Sequence, residues 1–255
     1  MSKPTPETPF AAYPRRPARF AASLGSTVVV IPHPDDEALG CGGLLALLRR
    51  AGHAVRAVLV SDGTMSHPAS RAFPPAARRA VRETELRLAL SILGVEDENL
   101  LTLGLPDSQV PGTGPAVEAA VEKLRDLLRE QPPATILVPW RRDSHPDHRA
   151  TSQLVDTALA GLPTPPRRLE YVVWAWQRAA PADLPRPADA VTGFRLHIGP
   201  VLAQKQRAIA AHRSQIAPGV FTDDPAGFLL SAEMLAHFAG PYEVFLEPAA
   251  PTNAG

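Results

Sequence analysis

Short runs of β-branched and aliphatic residues alternate along the chain with longer stretches in which apolar residues recur every three or four positions. The short runs predict strands at residues 27–31, 54–61, 100–103, 135–139 and 169–174. The periodic stretches predict helices at residues 37–51, 76–93, 115–131 and 149–160. This alternation is typical of α/β proteins, so we expect a single Rossmann-like domain with a mainly parallel sheet covered by helices. Ligands bind such sheets at the carboxyl ends of the strands, where we expect the active site.

Proline marks the boundaries of this domain. The chain has 29 prolines, and five of them fall within the first 17 residues, where they disfavour both helix and sheet. We therefore predict a Pro-rich flexible arm over residues 1–24, one folded domain over residues 25–248 and a flexible tail over residues 249–255.

Composition excludes several classes of partner. The 26 basic and 26 acidic residues cancel, so we expect no nucleic-acid partner. The longest apolar runs are far shorter than the roughly 20 residues that a membrane span needs, so we expect no membrane span. The one cysteine, Cys41, cannot form an internal disulfide, and this favours a cytoplasmic protein.

Two loops that follow predicted strands are rich in histidine and aspartate. The first reads HPDDE at residues 33–37, and the second reads DSHPDH at residues 143–148. Catalytic zinc sites use three protein ligands and keep one position open for water, and a His and an Asp from the first loop with a His from the second would supply that number. Of Asp35 and Asp36, one is expected to reach the metal, which leaves the other free to act as a base.

Together with further motifs, these loops resemble the PIG-L/LmbE family of zinc-dependent N-deacetylases. The resemblance includes PHPDDE at residues 32–37 followed by LGCGG, and HPDH at residues 145–148. It continues in SDG at 61–63, RETE at 82–85, LPD at 105–107, and Lys205 with HRSQ at 212–215. This ordered set spans roughly residues 27–216.

The resemblance implies a metal centre and a base. It makes His33, Asp36 and His148 the ligands of one Zn²⁺ per chain, with Fe²⁺ or another divalent ion as the alternative. It makes Asp35 the general base that removes a proton from the attacking water. The fold that it implies is the same α/β domain that the periodicity predicts.

The resemblance also implies roles for four further residues. His145 would be a protonated histidine that faces the developing oxyanion, and Asp147 would orient it. Arg82 and Asp107 would contact the substrate. The roles of His67, Asp143 and His212 stay open at this point, as does the formation of a homo-oligomer.

The reaction implied is removal of an N-acetyl group from a small amino-sugar or sugar-like substrate. Two alternatives remain: an amidase that acts on another N-acyl or thiol-conjugate intermediate of natural-product biosynthesis, and a non-catalytic carbohydrate-binding module. A dinucleotide-binding protein is disfavoured, because the glycine run at residues 40–43 lacks the third glycine of that fingerprint and has Leu45 instead. We expect substrate selection in the loops 62–75, 105–114 and 174–193.

Overall fold

An eight-stranded sheet forms the centre of the computed structural model, which describes residues 10–177 and 179–249. Its strands are β1 (Arg15–Arg16), β2 (Thr27–Ile31), β3 (Val55–Ser61), β4 (Leu100–Leu105), β5 (Thr135–Pro139), β6 (Arg167–Tyr171), β7 (Val191–His197) and β8 (Tyr242–Pro248). Their spatial order is β1-β7-β8-β6-β5-β2-β3-β4. Every neighbouring pair is parallel except the two that involve β8, which lies antiparallel between β6 and β7. The predicted α/β fold with a mainly parallel sheet is confirmed.

Helices cover both faces of this sheet. They are α1 (Asp36–Arg50), α2 (Pro75–Leu93), α3 (Pro115–Glu130), α4 (Pro146–Ala160), α5 (Leu202–Ala211), α6 (Arg213–Ile216) and α7 (Ala232–His237). Apolar residues of α1, α2 and α5 pack in one core, and those of α3 and α4 pack in the other. None of the helices in the described part of the chain is long and apolar enough to cross a membrane.

The central strand β2 packs its side chains into two different cores. Val29 and Ile31 belong to one core, whereas Val28 and Val30 belong to the core on the opposite face. Successive side chains of a strand point to opposite faces, so a strand covered on both sides needs apolar residues at every position. The loop at the end of β2 is thereby fixed between two packed layers.

The glycine run of α1 serves close packing. A Cβ on Gly40 would lie 2.3 Å from the ring of Tyr171, and one on Gly43 would lie 2.7 Å from Ile198. These glycines let the helix approach β6 and the segment after β7 more closely than any larger residue would allow. Tyr171 in turn donates its hydroxyl hydrogen to the backbone oxygen of Val30, 2.9 Å away.

A buried ion pair ties the same helix to the last strand. Glu243 of β8 lies 2.8 Å from Lys205 Nζ, and its two carboxylate oxygens accept the backbone N–H groups of Gly43 and Leu44. Lys205 also donates to the backbone oxygen of Leu39. All of these groups are buried, so the position of α1 depends on a glutamate 200 residues further along the chain.

The structure describes residues 10–24 of the flexible arm that was predicted over residues 1–24, and there it differs from the prediction. Residues 1–9 lie outside the described range, but Arg15–Arg16 pair with β7, and Ala18–Leu24 form a 3₁₀-helix. Phe10 is only 1% exposed. The prolines fit because an edge strand and the start of a helical turn tolerate a missing N–H. At the other end, Ala249 donates its N–H to Ala190, and residues 250–255 lie outside the described range.

Two further elements differ from the predictions. The strand expected at residues 169–174 runs from Arg167 to Tyr171 and is followed by a 3₁₀-helix at Trp174–Trp176. Strand β7 begins inside the stretch 174–193, which was predicted to be a substrate loop. Gly193 interrupts the β pattern of this strand, and its pairing with β8 is a contact between distant parts of the sequence.

Candidate metal centre and active site

The loops after β2, β4 and β5 converge at the carboxyl edge of the sheet around a cavity of about 180 Å³. The polar part of its lining includes His33, Asp35, Asp36, Asp107 and His145. The apolar part includes Leu39, Val173, Trp174, Phe228 and Leu230. The sequence-predicted residues are therefore brought to one place, at the edge where α/β sheets bind ligands.

One carboxylate oxygen lies at the centre of the polar cluster. Asp36 Oδ2 is 3.3 Å from His33 Nδ1 and 3.2 Å from His148 Nε2. The same oxygen accepts the backbone N–H of His33 at 3.0 Å, because Asp36 is the first residue of α1 and lies one turn beyond His33. Two imidazole nitrogens and a carboxylate thus meet, and this is a donor set that divalent zinc or iron accepts.

Each of these histidines has a carboxylate near its other nitrogen. His33 Nε2 is 3.0 Å from Asp147 Oδ2, and His148 Nδ1 is 3.6 Å from Asp143 Oδ2. Metal-ligating histidines commonly have such a partner, which fixes the ring orientation and the tautomer. Neither ring nitrogen of His148 forms a hydrogen bond within the described residues, although the ring is fully buried. A metal would satisfy Nε2 and leave Nδ1 to face the Asp143 carboxylate, so the residues fit a metal centre.

Two other groupings share His33. His33, His145 and His148 each place a ligand atom within 4.8 Å of the others, as do His33, Asp107 and Asp147. Asp36 distinguishes the predicted set, because a single oxygen of its carboxylate lies close to both buried histidines. We therefore keep His33, Asp36 and His148 as the ligand set to be tested.

The carboxylates around His33 and His148 stabilise positive charge at this site. Burial would lower the pKa of His33, but Asp147 and Asp36 more than offset it and raise the pKa to about 9. Burial opposes protonation of His148 as well, yet Asp36 and Asp143 raise its pKa to about 10. Burial would raise the pKa of Asp36, but His148 and His33 hold it well below its usual range. A divalent ion would replace the protons on these two rings.

Asp35 points to a different partner. Its Oδ2 is 3.5 Å from the Arg82 guanidinium, and burial raises the pKa of its carboxyl to about 7 although Arg82 opposes this shift. Its backbone has a φ of 131°, which non-glycine residues rarely adopt. This conformation separates the two adjacent carboxylates, so that Asp36 reaches the histidines while Asp35 lines the cavity beside Arg82.

Arg82 and Asp107, the residues predicted to contact substrate, both line the cavity. Arg82 donates to the backbone oxygens of Pro34 and Gly63, at 2.7 and 3.2 Å, so it holds two loops of the site together. Asp107 lies 3.3 Å from His33 Nε2 and accepts the backbone N–H of Met65. Both residues therefore have structural contacts besides the substrate contacts expected of them.

His145 and Asp147 are adjacent in the site, and the contact between them is made by the Asp147 backbone. The backbone N–H of Asp147 donates to His145 Nδ1 at 3.2 Å, while its carboxylate is held by the Val110 N–H and by His33. With Nδ1 accepting, the ring proton lies on Nε2. Burial, together with the nearby His148 and His33, lowers the pKa of His145 to about 4, which favours the neutral ring at pH 7. The role of His145 as a protonated histidine that faces the oxyanion stays a prediction.

Comparison with known proteins decides the family. A family model described as PIG-L, GlcNAc-PI de-N-acetylase, matches residues 28–159 of the chain. The 2'-N-acetylparomamine deacetylase of Streptomyces fradiae is 30% identical over 240 residues, which cover 84% of this chain and 81% of that protein. The chain belongs to the PIG-L family.

Two further comparisons extend the PIG-L assignment. A probable N-acetyl-alpha-D-glucosaminyl L-malate deacetylase 2 of Bacillus cereus is 31% identical over 195 residues, which cover 74% of this chain and 82% of that protein. A solved deacetylase of the teicoplanin biosynthetic pathway has a TM-score of 0.65 at 20% identity, covering 90% of this chain and 100% of that one, and this likeness concerns the fold. The deacetylases among the PIG-L relatives support a hydrolase activity.

In this PIG-L chain, sequence reasoning missed the part played by three buried residues. Glu37, the last acid of HPDDE, has one carboxylate oxygen 2.7 Å from His212 Nε2 and accepts the Asp35 N–H with the other. Asp143 accepts the backbone N–H groups of His145 and Trp174 besides facing His148. Their motifs were visible in the sequence, but a contact between residues 37 and 212 depends on the fold.

The loops predicted to select the substrate contribute unequally to the PIG-L cavity. Met65 and Ser66 represent the loop 62–75, Asp107 and Ser108 represent the loop 105–114, and Trp174 represents the stretch 174–193. His67, whose role was open, packs its ring on Phe221 with centroids 4.7 Å apart. The segment around Phe228 and Leu230, which sequence reasoning did not assign to the pocket, belongs to the apolar part of its lining.

Proposed function

We propose that the protein is a metal-dependent N-deacetylase that hydrolyses the N-acetyl group of a small amino-sugar or sugar-like substrate. The observation that carries this proposal is the convergence of His33 Nδ1 and His148 Nε2 on one oxygen of Asp36, beside the carboxylate of Asp35 that lines the cavity. Deacetylases of N-acetylated sugars among the relatives support the substrate class.

His33, Asp36 and His148 would hold the metal, with Zn²⁺ as the first expectation. A bound divalent metal lowers the pKa of water and polarises an acyl carbonyl. Asp143 and Asp147 keep the two histidine rings oriented toward Asp36. His33, Asp36 and His148 are buried, and burial strengthens these interactions.

Asp35 and His145 would carry the proton transfers and the charge stabilisation. Asp35 takes a proton from the attacking water, for which a pKa of about 7 is well matched. The His145 Nε2–H donates to the carbonyl oxygen as it becomes negative in the tetrahedral intermediate. The C–N bond then breaks, and Asp35 returns its proton to the departing amine, so that water and amide give acetate and a free amine.

A direct assay tests this proposal. Protein loaded with Zn²⁺ or Fe²⁺ is incubated with N-acetyl-D-glucosamine and with N,N'-diacetylchitobiose, and the amine released is measured with an amine-reactive dye. We expect release by the native chain and by His53→Ala, which changes a histidine outside the cavity, but not by Asp35→Asn. Folded, metal-loaded native protein that releases no amine from either compound would contradict the proposal.

A second candidate, hydrolysis of a longer N-acyl group, is supported by the apolar part of the cavity lining. Leu39, Val173 and Leu230 belong to it, as does Met65, which is 41% exposed. Apolar walls stabilise bound alkyl groups in proportion to the area they remove from water. Glucosamine carrying N-acetyl, N-butanoyl or N-octanoyl groups separates the two candidates, because only a longer-chain amidase would have a kcat/KM that rises along this series.

A further inference from the structure

Gln215 has an unsatisfied acceptor within the cavity. The residue belongs to α6, lines the cavity and is fully buried. Its side-chain oxygen Oε1 has no hydrogen-bond partner within the described residues. Its backbone is satisfied, because its N–H donates to His212 and its carbonyl oxygen accepts from Leu230. A buried acceptor without a donor is unfavourable and needs an explanation.

Neighbouring residues fix which end of the Gln215 amide is free. The Glu85 carboxylate accepts both the backbone N–H of Ser214 at 2.8 Å and its hydroxyl hydrogen at 2.6 Å. Ser214 Oγ can therefore only accept a further hydrogen bond, and Gln215 Nε2 donates to it at 2.9 Å. With the amide flipped, Gln215 Oε1 would face Ser214 Oγ, and both atoms would be acceptors. The hydrogen bonds from Gln215 to Ser214 and from Ser214 to Glu85 therefore leave Oε1 as the atom without a partner.

Two donors of the cavity complement this acceptor. His145 would offer its Nε2–H to the oxygen of a bound acyl group, and Arg82 has a buried Nε without a partner in the described chain. Gln215 offers an uncharged acceptor in place of a carboxylate, and such an oxygen suits an O–H or N–H group of the substrate better than an anion.

We propose that Gln215 determines specificity by accepting a hydrogen bond from a donor on the substrate, either a sugar hydroxyl or the N–H of the scissile amide. The inference rests on the proposed function and names a recognition contact within it. A site that is built to accept a hydrogen bond discriminates against an analogue that lacks the donor, because the buried acceptor is then left unsatisfied.

The experiment combines substrate analogues with one variant. The analogues are N-acetyl-D-glucosamine, its 3-, 4- and 6-deoxy forms, and 2-O-acetyl-D-glucose, which lacks the amide N–H. For the native chain we expect kcat/KM to fall by about tenfold to a hundredfold on one deoxy analogue. Gln215→Met should show a similar loss on the parent compound and no further loss on that analogue. If the amide N–H is the donor, Gln215→Met should lower kcat/KM on every amide but not on the ester. The comparison is made as the ratio of kcat/KM between variant and native protein on the same compound, so the higher intrinsic reactivity of an ester cancels.

Two further variants keep the test decisive. Gln206→Met makes the same change on α5, where Gln206 donates to the Phe238 carbonyl outside the cavity, and it should keep the native pattern. Ser214→Ala removes the hydroxyl that holds the Gln215 amide. The fall in kcat/KM between the parent compound and the same analogue should therefore be smaller in this variant than in native protein. This test remains available if Gln215→Met does not fold. Equal losses by Gln215→Met on every compound would overturn the proposal, because they would indicate a purely structural role.

Binding measurements separate this inference from the proposed function. Saturation-transfer NMR of the same compounds with native protein and Gln215→Met requires no turnover. Native protein could bind the analogues with different affinities, and Gln215→Met could bind them all alike, while neither protein releases an amine. This result would support the role of Gln215 and contradict deacetylation of these sugars. Absence of discrimination by the native chain in both assays would overturn the role of Gln215.

Discussion

The carboxylate of Glu37 accepts the backbone N–H of Asp35, with 3.1 Å between the two atoms. Asp35 has a φ of 131°, and a non-glycine residue keeps such a conformation only when its surroundings impose it. The second oxygen of Glu37 lies 2.7 Å from His212 Nε2, and both residues are buried. The Glu37–His212 pair is thus in contact with the backbone of the candidate base.

We predict that Glu37→Ala lowers kcat by about tenfold to a hundredfold while the metal content stays native, because Asp35 loses its fixed position. KM should change less, since Glu37 does not line the cavity. Steady-state kinetics with metal analysis by mass spectrometry checks this, with the exposed Glu233→Ala as control. An unchanged kcat, or a site without metal, would refute this positioning role.

Metal content should separate ligands from the base. We expect His148→Ala and Asp36→Ala to lose both metal and activity, because each removes a ligand from a three-residue set. Asp35→Ala should keep about one metal per chain and lose nearly all turnover. If His145→Ala emptied the site and His148→Ala kept the metal, the roles of the two histidines would have to be exchanged.

His145→Ala is expected to reduce kcat by about 10²–10³-fold with the metal retained, since one donor to the oxyanion is lost. His145→Gln should recover part of this loss, because its amide can offer an N–H from a similar position. Rates and metal content of both variants are to be compared with native protein. Equal activity of the Ala and Gln variants would indicate that the N–H of His145 is not used.

Asp143→Asn should weaken metal affinity by about tenfold to a hundredfold, because the carboxylate near His148 Nδ1 loses its charge. An asparagine keeps the size of the side chain and one acceptor for the loop. Competition with a chromophoric chelator measures the affinity, and Asp126→Asn, on the exposed surface of α3, serves as the control. A native affinity would show that Asp143 acts on the loop alone.

A pH-dependent contribution to stability is expected from Asp223. The N–H of Ala72 and the hydroxyl of Ser70 lower the pKa of its carboxyl to about 2. A carboxyl whose folded-state pKa lies below its unfolded value stabilises the fold above the unfolded value, and this contribution is lost as the pH falls toward the folded one. The urea midpoint of Asp223→Asn should therefore lie below the native one at pH 6, and this difference should narrow toward pH 3. A constant difference would contradict the linkage.

The sequence predicted the parts of the fold that local patterns specify. Strand β2 is apolar at every position because both of its faces are covered, and its prediction placed HPDDE at the edge of the sheet. The histidine and aspartate residues of the two loops then indicated a metal centre from the sequence alone. The family resemblance implied that His148 and Asp36 are metal ligands, and the fold brings their side chains within 3.2 Å of each other.

Contacts between distant segments could not be predicted in this way. The pairing of β7 with β8 and the approach of His212 to Glu37 depend on the tertiary structure. The division of the Asp147 contacts, with its N–H on His145 and its carboxylate on Val110 and His33, likewise depends on the fold, and the orienting role of Asp147 stays a prediction. The absence of a nucleic-acid partner and the cytoplasmic location stay predictions.

The position of β8 has a consequence for biosynthesis. Residues 242–248 lie inside the sheet, between β6 and β7, although they follow all the other described strands in the sequence. Until they leave the ribosome, β1 and β7 have no pairing partner among the strands β2–β6, and α1 lacks the contacts with Glu243. We therefore expect a nascent chain to form the β2–β6 half early and to complete its metal site only after β8 has emerged.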